Sequence, residues 1–163
     1  MNSTEINAVF KIGDNVVYPL QGVGCILGKE MRNTREYYRV QINSSEMDVL
    51  LPVDTAQSLG LRHLASASEV KKAISSLSVR HEVGRVDWKQ RLFLNQELMK
   101  EGSMLAVAKV VNSLYHRSKV KELPVQERKL YDNALTLLVD ESSSVLGIDQ
   151  EEMKRKIFSK LEK

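Results

Sequence analysis

Phe10-Lys11-Ile12-Gly13-Asp14-Asn15-Val16-Val17-Tyr18-Pro19, followed by Gln21-Gly22-Val23-Gly24-Cys25-Ile26, reads as a strand entrance, a β-rich strand, a Pro/Gly turn and a second strand. Val23–Arg32 then meets a turn near Asn33-Thr34. In Arg35–Ile42, Tyr38, Val40 and Ile42 alternate with Tyr37, Arg39 and Gln41, the period of a half-buried strand. Asn43-Ser44-Ser45 turns the chain into Met47–Val53, where Met47, Val49, Leu51 and Val53 share one face and Asp48, Leu50 and Pro52 the other. Asp54 to Gly60 leads to Leu61–Leu64, a last strand that closes a five-stranded barrel. Residues 1–9 form a polar extension ahead of it.

The period changes at Ser66. Ser66-Ala67-Ser68-Glu69 carries a capping box before Val70, Ala73, Ile74 and Leu77. Residues 78–87 lose periodicity and read as a linker or loop. A helix then starts near Trp88 with Asp87 as N-cap and stops before Gly102. Ser103 caps the next, with Leu105, Ala108, Val111 and Leu114 or Tyr115 on its apolar stripe. Pro124 suits the first turn of another helix, with Leu130, Ala134, Leu137 and Leu138 inward and Gly147 as its stop. Asp149 and Glu152 start a final helix towards Lys163. The expected class is therefore α+β: a small barrel over residues 1–66 and an all-helical domain over 67–163.

At 163 residues the chain has room for two small, closely packed pieces. No run of about 18 apolar residues is present, so a membrane span is not expected. The N-terminus lacks the basic start and apolar core of a secretory signal, and a lone Cys25 suits a reducing cytoplasm. The net charge of +3 hides an asymmetry: residues 1–66 hold 6 Lys/Arg against 7 Asp/Glu, and residues 67–163 hold 18 against 14. Within residues 80–129 the balance is 11 against 6, a modest basic bias suited to a few phosphates.

Catalytic patterns are missing. Gly22, Gly24 and Gly28 are spaced G-x-G-x-x-x-G, one residue off the dinucleotide fingerprint, and a strand-like segment follows where phosphate cradling needs a helix start. His63, His81 and His116 are scattered and have no cysteine partners, which argues against a zinc site. There is no G-x-S-x-G elbow. Neither an enzyme, a metal, a cofactor nor a small-molecule substrate is expected.

Five blocks in order carry a resemblance: F-K-x-G-D-x-V-V-Y-P-x-Q-G-V-G at Phe10–Gly24, L-P-V at Leu51–Val53, S-x-G-L-R at Ser58–Arg62, W-x-x-R at Trp88–Arg91 and L-P-x-x-E-R-K-L at Leu123–Leu130. With them the chain resembles the CarD/CdnL family of bacterial RNA polymerase-binding transcription regulators over nearly its full length. The first half is also similar to the polymerase-interacting module of transcription-repair coupling factors, but no helicase motor follows here. The resemblance implies a Tudor-like barrel that docks on the polymerase β subunit and a helical domain that meets promoter DNA. It implies that Trp88 wedges into the minor groove at the upstream edge of the transcription bubble. Arg32 falls where the family places a polymerase-facing basic residue. The sequence departs from some relatives at Leu50, where they carry Arg, and at Phe93 and Asn133, where they carry basic DNA contacts. The hairpin around Asn33 is shorter, and residues 1–9 are extra.

Physical chemistry fits these roles to particular side chains. An aromatic wedge pays less unstacking where the duplex is already opening, so it favours melted promoter without chemistry. Lys89 and Arg91 flank Trp88 as phosphate contacts, and Arg128 and Lys129 supply others from a neighbouring helix start. Asp48, Leu50 and Pro52 face outward on one strand, where Leu50 anchors strand addition by the polymerase, and Arg32 completes that surface. The expected protein is a monomer when free, cytoplasmic and brought to the nucleoid through polymerase, that binds DNA weakly and with little base specificity. Two alternatives stand beside it: a protein-only adaptor with Trp88 buried, and a standalone nucleic-acid binder with steep salt dependence.

Overall fold

Gln21 N donates to Tyr18 O at 2.8 Å and Gly22 takes φ +123°, so the chain reverses after Tyr18 and the first two strands pair antiparallel. They are β1 (Asn15–Tyr18) and β2 (Gly22–Arg32), followed by β3 (Arg35–Ile42), β4 (Asp48–Pro52) and β5 (Arg62–His63). The structure, a computed structural model, describes residues 10–79 and 87–163. The expected extension over residues 1–9 and most of the expected linker over 78–87 lie outside the described residues. The α+β division is as read from the sequence, and the chain forms two compact units, the first ending at Leu64 and the second starting at Ala65.

In the first unit the strand order is β4-β3-β2-β1-β5, all antiparallel, and β4 and β5 do not pair. The expected five strands are present, but the sheet is not closed. The would-be closing strand is only Arg62–His63 and spends its pairing on β1. A bulge at Leu27, between Ile26 and Gly28 of β2, bends the sheet. Its concave face holds Phe10, Val16, Ile26, Tyr38, Val40, Ile42, Leu51, Val53, Ala56 and Leu61. Fully burying each of the larger of these side chains contributes about 1.5–3 kcal/mol. Phe10 plugs one end, its ring edge-on to Tyr38 and 4.9 Å from His63, whose Nε2 lies 3.3 Å from Asp14 Oδ2. The Lys11 backbone N–H on that same carboxylate, aided by His63, holds Asp14 below the usual Asp range.

The turns explain two details. β2 and β3 join through Asn33 and Thr34, both at positive φ (50° and 66°), as a two-residue hairpin loop of type I′ requires. At Gly24 a Cβ would lie 2.5 Å from Gln41 O, so β2 approaches β3 there only without a side chain. Met47, expected inward, is exposed: it stands in the turn where Glu46 takes φ 56°, ahead of the strand's alternation.

The second unit holds α1 (Ala67–Ser76), α2 (Trp88–Glu101), α3 (Met104–Val120), α4 (Val125–Leu146) and α5 (Gln150–Leu161). Ser66 and Glu69 form the full capping box of α1, and Ala65 N donates to buried Glu141 of α4 at 2.8 Å. Asp87, Ser103 and Asp149 accept backbone N–H bonds at the starts of α2, α3 and α5. Gly102 and Gly147 end α2 and α4 in the left-handed conformation. Pro124 is the N-cap residue of α4 rather than part of its first turn.

α3 is the central rod. Val107, Ala108, Val110, Val111 and Leu114 are all fully buried against α1, α2 and α4. Leu105, expected in the stripe, is exposed instead, because it shares the open side of the rod with Lys109 one turn on. No helix among the described residues is long and apolar enough to cross a membrane.

Candidate nucleic-acid and protein interfaces

Asp87 caps α2 by accepting from Gln90 N at 2.9 Å, which makes Trp88 the first helical residue. A side chain at that position has no preceding turn to cover it. Trp88 is accordingly 39% exposed, with Lys89 Nζ 5.9 Å from the ring centroid. The contact sets a cation beside an exposed indole, an arrangement that presents an apolar face and a positive charge together.

Arg91 is not at that surface. Expected to hold phosphate, it is only 5% exposed and turned inward, on the face that also buries Asn95 and Met99. Its Nε donates to Glu127 Oε2 at 2.7 Å and its Nη2 to Glu127 Oε1 at 2.6 Å, a bidentate pair. Glu127 is completely buried in the first turn of α4, where a carboxylate also suits the positive end of the helix. The physical reason for the correction is pairing. A charge this deeply buried needs a partner, and both oxygens of Glu127 accept from the Nε–Nη2 edge of Arg91. The Arg91 side chain is therefore held inside the helical unit by Glu127 and is not presented at the surface beside Trp88.

Through this pair the start of α2 is fixed against the start of α4. Trp88 and Lys89 are carried by one, Arg128 and Lys129 by the other. Arg128 is exposed, lies 3.5 Å from Asp132 and stacks over Tyr131 at 5.7 Å; Lys129 is exposed beside it. Phe93 is 60% exposed and Leu94 is also exposed, so the outer side of α2 continues apolar where a cation would stand in a more basic footprint. Asn133 is exposed on α4. Sequence reasoning missed the role of Glu127. The residue lies in the L-P-x-x-E-R-K-L block, but nothing local reveals a partner 36 positions away.

The second surface is on the sheet. Among the described residues β4 is an edge strand that pairs only with β3, so its other side has unpaired backbone groups. Leu50 is half-buried and sits across from Arg39, with exposed Asp48 opposite Gln41 and half-buried Pro52 opposite Tyr37. Arg32, at the hairpin tip, is exposed and pairs with Glu30 at 3.3 Å. Asp48, Leu50 and Pro52 thus lie along one edge strand, while Arg32 projects from the end of β2. Cys25 is half-buried in β2, and no group of His, Cys, Asp and Glu among the described residues is arranged to hold a metal.

Comparison with known proteins divides the chain along the same lines. Residues 10–65 match the CarD-like/TRCF RID domain, and residues 72–158 match the CarD C-terminal domain. A protein of Bacillus subtilis (strain 168) named "Putative transcription factor YdeB" is 30% identical over 150 residues, spanning 90% of this chain and 98% of that protein.

Proposed function

This chain belongs to the CarD family, and from that premise we propose that it is a transcription regulator which binds RNA polymerase and stabilises melted promoter DNA. The sheet unit docks on the polymerase β subunit, with the β4 edge adding to a partner strand, Leu50 as apolar anchor and Asp48, Pro52 and Arg32 around it. The helical unit carries Trp88 into the minor groove at the upstream edge of the bubble. Lys89, Arg128 and Lys129 hold flanking phosphates. Arg91 holds the wedge in place through Glu127.

The observation that carries this reading is the indole itself: partly exposed, first in its helix, with a cation on its flank. A wedge between base steps costs a few kcal/mol of unstacking in closed duplex and less at a fork. The difference is an affinity for the open state, and about 1.4 kcal/mol of it shifts the closed-to-open ratio tenfold. No bond is made or broken, so the protein works without catalysis. Few phosphate contacts give weak binding to free DNA, and the polymerase tether raises the effective concentration. The exposure of Trp88 supports this reading over an adaptor that buries it.

Two measurements test the proposal. A soluble quencher should reach Trp88 in the free protein. Trp88→Ala should keep polymerase binding while shortening the open-complex lifetime; an unchanged lifetime would refute the wedge.

A further inference from the structure

A second surface of the helical unit has no part in that mechanism. Beyond α4 the chain reverses at Gly147, where the Ser143 hydroxyl donates to Ile148 O and Ile148 N returns to Ser143 O at 3.2 Å. This knot sets Leu146 and Ile148 at the bottom of a groove of about 850 Å³ between α1 and α5, with Ile74 and Met153 completing an apolar floor. The lips are basic. Lys71 stands on the α1 side, and Arg155, Lys156 and Lys160 line the α5 side, the last two one helical turn apart. Glu152 is the one carboxylate among the described lining residues. None of the four cations makes an ion pair with another described residue. Residues 154–163 hold 5 Lys/Arg against 1 Asp/Glu, more positive charge than the net +3 of the whole chain.

We propose that this groove receives an acidic amphipathic helix from a protein partner. An apolar floor between two cationic lips is the complement of a helix with Leu-type anchors at i, i+3, i+4 and i+7 and carboxylates on its flanks. Desolvating the floor supplies affinity, while Lys71 on one side and Arg155 and Lys156 on the other set orientation and rate of encounter. Nucleic acid suits the groove less well, since phosphates are held by cations and N–H donors and gain nothing from Ile74 or Met153. A second copy of this chain would bring its own cationic lips towards these. The groove lies between α1 and α5, whereas Trp88 is on α2, which packs against α3 and α4. The protein can therefore hold DNA on one helix start and a partner helix on another face.

The test uses the full chain, isotopically labelled, and a synthetic Leu/Glu amphipathic helix of about 18 residues. It should shift the backbone amides of residues 71–75, 146–148 and 152–160, more weakly at high salt. The double variant Arg155→Glu/Lys156→Glu, whose sites are exposed and leave the helical spectrum intact, should weaken that binding at least about tenfold. Leu146→Asp should weaken it independently through the floor. Absence of shifts at these amides overturns the proposal. So does equal binding of a peptide with the same composition but scrambled order, which would make the groove a mere charge trap. A DNA duplex of about 20 base pairs that displaces the peptide and loses affinity with the same double variant reassigns the groove to nucleic acid. A concentration-dependent dimer abolished by that variant reassigns it to self-association. Trp88→Ala leaves the peptide shifts unchanged, so this test stands or falls separately from the wedge.

Discussion

Arg91 and Glu127 meet as a buried bidentate pair, at 2.7 and 2.6 Å, and join the first turn of α2 to the first turn of α4. Removing one partner strands the other charge in a site with almost no water. Glu127→Gln or Arg91→Met should therefore cost about 3–5 kcal/mol in urea denaturation. The paired Arg91→Met/Glu127→Leu replacement leaves no orphan charge and should cost clearly less than the two single losses added together. Strict additivity would mean the pair is not coupled. In the milder variants Trp88 should become more accessible to quencher, because its helix start has lost its tie.

Leu50 tests the sheet edge. Leu50→Glu places a charge on a half-buried, outward position of an edge strand, where the fold tolerates it. Polymerase affinity in a pull-down should fall by about tenfold or more, the loss of one anchor worth roughly 1.4 kcal/mol. Normal retention of polymerase by a folded variant would remove Leu50 from the contact.

Thr34 is a β-branched residue at φ 66° in the β2–β3 hairpin. Left-handed backbone costs such a residue about 1–2 kcal/mol, and glycine relieves it. Thr34→Gly should raise the urea midpoint, with a gain in unfolding free energy of about 1 kcal/mol less the entropy that glycine adds to the unfolded chain. A lowered midpoint would show that Thr34 makes a contact worth more than its strain.

Tyr131 supplies a pH signature. Burial pushes its phenol up to about 12, with Arg128 over the ring opposing the shift in part. The folded state thus holds this proton more tightly than the unfolded chain, whose tyrosine titrates near 10. Its contribution is complete below pH 10 and is lost as pH rises from about 10 to 12. Stability should fall more steeply in that window for the native protein than for Tyr131→Phe. Parallel pH profiles would show that the phenol ionises as freely in the folded protein as in the unfolded one.

Much of the fold was legible because its signals are local. Ser66, Asp87, Ser103 and Asp149 cap helices through bonds to N–H groups two or three residues on, and Gly102 and Gly147 end them by adopting positive φ. The alternation of Tyr38, Val40 and Ile42 likewise needs only the two-residue period of a strand. Trp88 at a helix start followed from its neighbour Asp87. Met47 failed because a turn residue at positive φ shifts where the strand begins, and Leu105 failed because helical spacing says which residues share a face, not which face is covered.

The α+β order, the helix caps, the β-hairpin and the family of the chain can all be read along its residues. Tertiary structure alone decided that the sheet stays open, that Arg91 turns away from solvent, and that four basic side chains gather around an apolar trough. The reason is range. Caps, turns and alternation are interactions within a few residues and can be read along the chain, whereas a guanidinium chooses between water, phosphate and carboxylate according to what packing brings beside it. Here packing brings Glu127, from 36 residues away.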